Sequence, residues 1–302
     1  MSTRIVIEWT RTSLRVAAAN QRGTTCRLSA VRRLPLDAPE ETAKSLRLLV
    51  AQAKPTQAVV VGVVPREAVI TRVVKFPSVN PAELTQMVEL YAKAQLPYPG
   101  DQAMIDFHVV SQRDAFSMVA IVACQREGVE RPLAVLRQAG LSPTAVTVSS
   151  WGVLEWYRQV RALPVAVEMP GGSIEEPCLI MNIDDARTDL VLVGDGRLLS
   201  SRSLGQGADD WRAMEDPTEL LALEIERRLA AIRKELAERE ARTVLLTGLG
   251  PLAQWRELLV RRLDLPVGVV EPQRPFAGSS LAQGCSPVVA GGLACGRLHG
   301  LL

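Results

Sequence analysis

Residues 178–203 read CLIMNIDDARTDLVLVGDGRLLSSRS, and this stretch predicts three strands joined by two tight turns. The β-prone runs are Cys178–Ile183, Thr188–Val193 and Arg197–Ser203. The turns lie at Asp184–Arg187 and Gly194–Gly196, where polar residues and glycine allow the chain to reverse. The stretch therefore predicts an antiparallel meander at the start of an α/β unit.

The N-terminal part of the chain repeats this arrangement in a different sequence. Its β-prone runs contain Ile5, Ile7, Leu14, Val16 and Leu28, with polar turns between them. A helix over 38–54 and a buried strand over 58–64 follow, because apolar residues recur first at helical spacing and then continuously. This alternation predicts two mixed α/β halves, each opened by a hairpin.

A separate α/β unit is expected between the two hairpins. The pattern predicts strands at 69–76, 105–111 and 118–124 and helices at 81–95 and 126–138. We therefore expect residues 69–142 to form an inserted subdomain. Residues 1–68 and 143–172 would form the first half and residues 173–302 the second, with a loop-like stretch at 170–173 between them.

Composition limits the classes of partner. The chain of 302 residues has 35 basic and 33 acidic residues, so no overall field favours nucleic acid or an anionic membrane. No apolar run approaches the roughly 20 residues that cross a bilayer, and no secretory signal opens the sequence. We expect a cytoplasmic protein that meets the membrane only through partners.

Cysteine and histidine usage gives little material for a metal site. Five scattered cysteines are expected to be reduced, buried thiols of a cytosolic protein: Cys26, Cys124, Cys178, Cys285 and Cys295. With only two histidines and no close cysteine pair, a transition-metal cluster is not expected.

Four short motifs carry a family resemblance. They are FPSVNPAEL at 76–84, LPYP at 96–99, IDFHVV at 105–110 and AGLSP at 139–143. Two hairpin-headed halves with LTGLG at 246–250 resemble the actin, Hsp70 and sugar-kinase superfamily. The same order of features extends from Ile5 to Ala294, and the motifs resemble the PilM family. Proteins of this family are actin-like inner-membrane assembly proteins of type IV pilus and competence systems. FtsA and the cytoplasmic part of GspL are more distant relatives.

The resemblance implies an actin-like two-domain α/β fold with an inserted subdomain. It also implies a non-enzymatic cytoplasmic scaffold of a type IV pilus, competence or type II secretion-like machine, peripheral to the inner membrane. Such a scaffold would bind the N-terminal cytoplasmic tail of a PilN-like membrane protein, in a groove between the first half and the inserted subdomain. Contact with an assembly ATPase is implied as well.

The same resemblance implies a nucleotide site between the two hairpin turns, where backbone N–H groups approach phosphate and acidic residues hold magnesium through water. The corresponding residues are Glu8, Thr10, Arg11, Thr12, Asn182, Asp184, Thr188, Gly248 and Gly250. The family's Asp-x-Gly-Ser-Ser turn is replaced by EWTRT at 8–12, and its second Asp-x-Gly by NID at 182–184. The site is therefore expected to be degenerate.

A second departure lies between Gly207 and Pro217. The family would carry a small subdomain there that helps to close over the base, whereas only residues 208–216 remain. We therefore expect a truncated subdomain, no catalytic or metal-binding residues and no cofactor. The alternative is an actin-like protein that binds ATP with magnesium and hydrolyses it. A small-molecule kinase would need a catalytic aspartate and a sugar pocket, which the sequence does not suggest.

Overall fold

A computed structural model describes residues 2–22, 25–52, 58–163, 169, 173–214, 217–236, 240–276, 280–281 and 285–297. Its first sheet begins with the expected meander. Strands β1 (Ser2–Trp9), β2 (Ser13–Arg22) and β3 (Thr25–Pro35) pair antiparallel. Helix α1 (Pro39–Gln52) follows, and β4 (Ala58–Val64) returns parallel to β1. The predicted strands and helix of this segment are confirmed.

The inserted segment forms a sheet of its own. Its elements are β5 (Val69–Phe76), α2 (Pro81–Gln95), β6 (Ala103–Arg113), β7 (Phe116–Gln125) and α3 (Arg126–Gln138). The strands pair antiparallel in the order β5-β7-β6. One face of this sheet packs on α2, and the other contacts both halves of the molecule.

The FPSVNPAEL motif forms the start of α2. Asn80 accepts the backbone N–H of Ala82 at 2.9 Å, and Pro81 occupies the first helical turn, where its missing N–H costs nothing. The hydroxyl of Ser117 on β7 donates to the backbone oxygen of Ser78 at 2.7 Å. The motif therefore caps the helix and ties the residues just before it to the sheet.

The chain then returns to the first sheet and crosses to the second. Strand β8 (Ala145–Val148) pairs parallel with β4, and α4 (Ser149–Arg161) leads away from it. The second meander consists of β9 (Cys178–Ile183), β10 (Thr188–Gly194) and β11 (Arg197–Leu204). The opening stretch of sequence thus folds as predicted; residues 170–172 of the expected linker lie outside the described residues.

The second half continues with helices packed against its sheet. Helix α5 (Ala208–Ala213) precedes α6 (Pro217–Leu236), β12 (Thr243–Gly248), α7 (Leu252–Leu263) and β13 (Val267–Val269). The strand order is β11-β10-β9-β12-β13, with β12 parallel to both of its neighbours.

The last two elements belong with the first sheet. Strand β14 (Ser280–Leu281) pairs parallel with β3, and α8 (Val288–Cys295) packs against β1, β2 and α4. This corrects the expected assignment of all of 173–302 to the second half. Apolar residues of α8 join a core cluster to which both sheets contribute.

The thiols also depart from expectation. Cys124, Cys178 and Cys285 are buried, whereas Cys26 and Cys295 are only half-buried. The prediction of buried thiols is therefore wrong for the latter two, because both lie where β3 and the end of α8 reach the protein surface.

Two glycines let α4 and α8 touch backbone to backbone. A Cβ atom on Gly292 would lie 2.2 Å from the backbone oxygen of Gly152. A Cβ on Gly152 would lie 2.6 Å from the backbone oxygen of Val289. These separations are far below contact distance, so the helices meet this closely only where side chains are absent.

We expect Gly292→Ala to lower the free energy of unfolding by about 1–3 kcal/mol, because the two helices would have to separate. The matched control is Gly128→Ala in α3, where an added Cβ meets nothing within 4 Å. That variant should gain up to about 1 kcal/mol from its better helix propensity. Chemical denaturation of both variants measures the difference, and equal stabilities would contradict the packing described.

Candidate functional site

The β1–β2 turn and the β9–β10 turn face each other where the two sheets meet. Six charged side chains fill the space between them, and we call them the cleft cluster: Glu8, Arg15, Asp184, Asp185, Arg187 and Asp189. Every member is buried. The cluster therefore joins the first sheet to the second by charge.

Arg15 of β2 is the main link between the halves. Its guanidinium bonds Asp184 and, at 2.8 Å, Asp185, both in the β9–β10 turn. In the reverse direction, Arg187 of that turn reaches Glu8 of β1 at 2.6 Å. Each sheet thus supplies an arginine to a carboxylate of the other.

The cluster continues into the second half and to the surface. Arg187 Nε lies 3.4 Å from Asp189, whose oxygens also accept the hydroxyls of Ser149 and Ser203, each at 2.9 Å. At the mouth of the cleft, the half-exposed Arg33 lies 3.1 Å from Asp185. Four carboxylates therefore face three guanidiniums, and the balance is negative.

Burial and the neighbouring opposite charges shift the pKa values of the cluster members in opposite directions. Burial would raise the pKa of Asp184, but the positive charges of Arg15 and Arg187 outweigh it and hold that pKa below its ordinary value. For Glu8 burial dominates, so its pKa is raised despite the same two arginines. Burial would lower the pKa of Arg15, yet the carboxylates of Asp184 and Glu8 raise it well above the usual value. The arginines thus stay charged.

In the β1–β2 turn, backbone N–H groups donate hydrogen bonds to a side chain of the same turn. The hydroxyl of Thr10 accepts the N–H groups of Thr12 at 3.3 Å and Ser13 at 3.0 Å, and it donates to the Ser13 oxygen at 2.9 Å. A glycine at this position would leave those N–H groups free to approach a ligand. Thr10 therefore closes the turn on itself.

The second turn is closed in the same way. The Asp184 carboxylate accepts the N–H of Asp185 at 2.9 Å, and the Asp185 carboxylate accepts the N–H of Ala186 at 2.9 Å. Helix α5 also packs against the turn, because Ala208 at its start donates its backbone N–H to the backbone oxygen of Asp184 at 2.6 Å. These two N–H groups and the backbone oxygen of Asp184 are thus bonded within the protein.

The other expected nucleotide residues do not converge on the cleft. Arg11 lies at the surface, 3.2 Å from Glu67, and Thr12 is exposed. Thr188 donates its hydroxyl to the Gln206 oxygen at 2.9 Å, beside α5. Asn182 is buried, and its side-chain oxygen has no hydrogen-bond partner in the part of the chain described.

Gly248 and Gly250 serve the passage from β12 to α7. Both have a positive φ, 110° and 108°. A Cβ on Gly248 would lie 1.9 Å from the Ile183 oxygen, so this glycine lets β12 end against β9. Their role as phosphate ligands stays a prediction.

The predicted site included only Glu8 and Asp184 of the cluster; it did not include Arg15, Asp185, Arg187 or Asp189. One signal was available, because a charged residue interrupts the apolar alternation of β2 two residues after its start. In the hairpin register Arg15 lies opposite Glu8, one of the expected site residues. A charged pair across two buried strands indicates an ion pair that the fold must satisfy.

A groove of about 330 Å³ lies between the first sheet and the inserted subdomain. Its floor is apolar and includes Val64, Val69, Cys124 and Val129, while Glu67 and Tyr98 stand at its sides. Glu67 belongs to the same short turn as Arg66, whose buried guanidinium bonds Val69 and Ser201. The groove is therefore held by a turn that is anchored in the second half.

Tyr98, in the LPYP segment, brings a polar atom to this groove. Its hydroxyl oxygen is shielded from solvent and has no hydrogen-bond partner among the described residues. Burial and the neighbouring Cys124 raise the pKa of Tyr98, so the hydroxyl stays protonated and can donate. The groove thus combines an apolar floor, one free donor and one carboxylate.

Neither a metal centre nor a membrane span was found in the described ranges. They contain no group of three or more His, Cys, Asp or Glu side chains placed to hold a metal ion. None of their helices has both the length and the apolar character needed to cross a bilayer.

Comparison with known families gives a match over more than half of the chain. The family described as Type IV pilus assembly protein PilM matches residues 24–214. The matched segment includes the inserted subdomain and the second hairpin.

Solved structures give the fold. The chain resembles a protein of the PilM-PilN type IV pilus biogenesis complex at a TM-score of 0.76 and 21% identity, covering 96% of this chain and 97% of that one. It resembles the cytoplasmic domain of EpsL, from the type II secretion system of Vibrio cholerae, at 0.57 and 11%, covering 99% and 97%. A Bacteroides thetaiotaomicron protein with an actin-like ATPase fold matches at 0.50 and 10%, covering 98% and 96%. The expected actin-like fold is confirmed.

We expect Arg15→Met to lower the free energy of unfolding by about 3–5 kcal/mol, because it leaves buried carboxylates without their main cation. Arg33→Met is the matched control from the neighbouring strand. Its side chain is 40% exposed, so its loss should cost no more than about 1 kcal/mol. Denaturant unfolding followed by tryptophan fluorescence compares them, and similar losses in both would contradict the role given to Arg15.

Proposed function

The chain belongs to the type IV pilus assembly protein PilM family, and from this premise we propose that it is a non-enzymatic cytoplasmic platform that docks a PilN-like membrane protein. The observation that carries the proposal is the cleft cluster. It occupies the space where a nucleotide-binding relative would hold phosphate and magnesium. The partner would instead bind at the groove beside the inserted subdomain.

Three features support a platform without ATPase activity. A triphosphate entering the cleft would meet a net negative cluster, and a carboxylate about 4 Å from a phosphate charge repels it by about 4 kcal/mol at an effective dielectric near 20. The N–H groups of Thr12 and Ser13 are already bonded to Thr10 in the first turn, and in the second turn the Asp184 and Asp185 carboxylates each accept the next residue's N–H. Displacing Arg15 from its carboxylates would leave buried charge without compensation.

The chemistry of the groove supports the partner. An extended tail could place an apolar side chain on the valine floor and a backbone oxygen within reach of the Tyr98 hydroxyl. Cytoplasmic segments next to a membrane span are rich in lysine and arginine, and Glu67 offers a carboxylate to such a residue. Its present partner, Arg11, is largely exposed and is therefore cheap to release.

Location follows from the same proposal. A PilN-like partner would hold the platform at the cytoplasmic face of the inner membrane. On the family resemblance we include an assembly ATPase as a second partner of the platform.

Mg-ATP should not stabilise the protein. A ligand present at 100 times its dissociation constant adds about 2.7 kcal/mol to the free energy of unfolding, which shifts the melting temperature by several degrees. We expect no shift in thermal melting with millimolar Mg-ATP beyond that of the same concentration of magnesium with inorganic triphosphate. A shift specific to ATP would favour the alternative, an ATP-binding actin-like protein.

A synthetic peptide with the N-terminal cytoplasmic sequence of a PilN-like protein from the same organism should bind in the groove. Tyr98→Phe should weaken binding by about two- to tenfold, because one hydrogen bond is lost. Glu67→Gln should weaken it by about two- to fivefold at low salt. Fluorescence anisotropy with the labelled peptide measures both.

Tyr91→Phe is the control for Tyr98, since Tyr91 packs edge-on against Phe76 on the α2 face of the inserted sheet. It should leave the affinity unchanged. Absence of binding to the unaltered protein would overturn the proposed partner. Binding that ignores both groove substitutions would overturn only the groove as its site.

A further inference from the structure

The five thiols fall into two groups with different surroundings. Cys124, Cys178 and Cys285 are buried in the cores of the molecule. Cys26 and Cys295 are half-buried. They are close in space although far apart in sequence: Cys26 contacts the backbone oxygen of Ala294, which precedes Cys295 and lies 268 positions further along the chain. The proposed function uses neither of these two residues.

The pair lies where the first sheet meets the end of α8. Cys26 is the second residue of β3, and Cys295 is the last residue of α8. The Cys26 thiol donates to the backbone oxygen of Ala294, the residue next to Cys295, at 3.6 Å, and the two thiols lie close enough to shift each other's pKa. The sulfur atoms are thus already neighbours in the folded protein.

A guanidinium lies beside both sulfurs. Arg4 of β1 donates to the backbone oxygens of Leu293 at 2.9 Å and Gly296 at 2.5 Å, at the end of α8. Its charge interacts with both thiols. A positive charge next to a partly exposed cysteine is the setting in which a thiolate forms and reacts.

We propose that Cys26 and Cys295 form a reactive dithiol site that takes small disulfides of the oxidised glutathione class and closes to an intramolecular disulfide. This inference is independent of the proposed function, because it rests on residues outside both the cleft and the groove.

Cys26 is the attacking residue. The hydrogen bond from Cys295 lowers the pKa of Cys26, and although burial acts in the opposite direction, the charge of Arg4 lowers it further. Donating that hydrogen bond raises the pKa of Cys295, so the second thiol keeps its proton until the first has reacted. Burial raises the pKa of Cys124 to about 11 and of Cys178 and Cys285 to about 12, which makes these three inert comparators.

The reaction proceeds in two exchanges. The Cys26 thiolate attacks one sulfur of the small disulfide, forms a mixed disulfide and releases one small thiolate. Cys295 then loses its proton and attacks the Cys26 sulfur, which releases the second small thiolate. The two protein thiols lose two electrons and two protons, and the small disulfide gains them as two thiols.

Closure would tie the end of α8 to β3. Because α8 contacts both α4 and the first sheet, the bond would join the C-terminal part of the chain covalently to its N-terminal meander. A cross-link over so long a loop restricts the unfolded chain strongly. The oxidised protein is therefore expected to melt at a higher temperature than the reduced one.

Alkylation rates test the first step. With limiting iodoacetamide and peptide mapping by mass spectrometry, Cys26 should react at least about tenfold faster than Cys124 in the folded protein. Cys295→Ser retains a hydrogen-bond donor and should keep this rate, whereas Cys295→Ala should slow it several-fold. Equal rates at Cys26 and Cys124 would overturn the proposal.

Oxidised glutathione tests the second step. The intact protein should lose the mass of two hydrogen atoms, and fragmentation should link Cys26 to Cys295. Cys26→Ser and Cys295→Ser should each abolish that change, and Cys124→Ser should preserve it. A lasting glutathione adduct on Cys26, an unchanged mass, or a bond to Cys285 instead would each overturn the dithiol site.

Discussion

The structure depends on a set of buried charges that neither half satisfies alone. The side chain of Arg15 in the first sheet forms ion pairs with Asp184 and Asp185 of the second half. In the opposite direction, the side chain of Arg187 pairs with Glu8 of the first sheet. An isolated buried charge costs several kcal/mol, so either half on its own would expose or strand these groups. The two halves are therefore joined through these charges.

In the function we propose, the groove beside the inserted subdomain carries the biological role. The turn that holds Arg66 links the two regions, because its side chain bonds the second sheet at Ser201 while its neighbour Glu67 lines the groove. The hydrogen bonds of Arg66 thus fix the turn that carries Glu67. This suits a protein whose task is to hold a membrane partner in place. It suits a machine that opens and closes with each nucleotide less well.

Much of the fold could be predicted from sequence because local signals agree with the tertiary structure. In three segments a few neighbouring residues are enough to predict the conformation: the start of α2 at Asn80-Pro81, the turn at 184–187 and the buried strand at 58–64. The cleft cluster could be predicted only in part. Comparison with the family's turn motifs showed from the sequence that Thr10 and Asp184 stand where the family has glycine. The ion pairs of Arg15 with the second half could not be predicted, because they form only when two distant hairpins meet. The return of β14 and α8 to the first sheet was missed for the same reason, because an apolar helix does not specify which sheet it packs against.

The most direct measurement is a crystal structure of the protein grown with Mg-ATP. If the cluster replaces the nucleotide, Arg15 and Arg187 will keep their carboxylates, the two turns will keep their internal hydrogen bonds, and the space between Thr12 and Asp184 will hold no triphosphate. Ordered triphosphate with magnesium between those residues, and Arg15 turned away from Asp184, would contradict it.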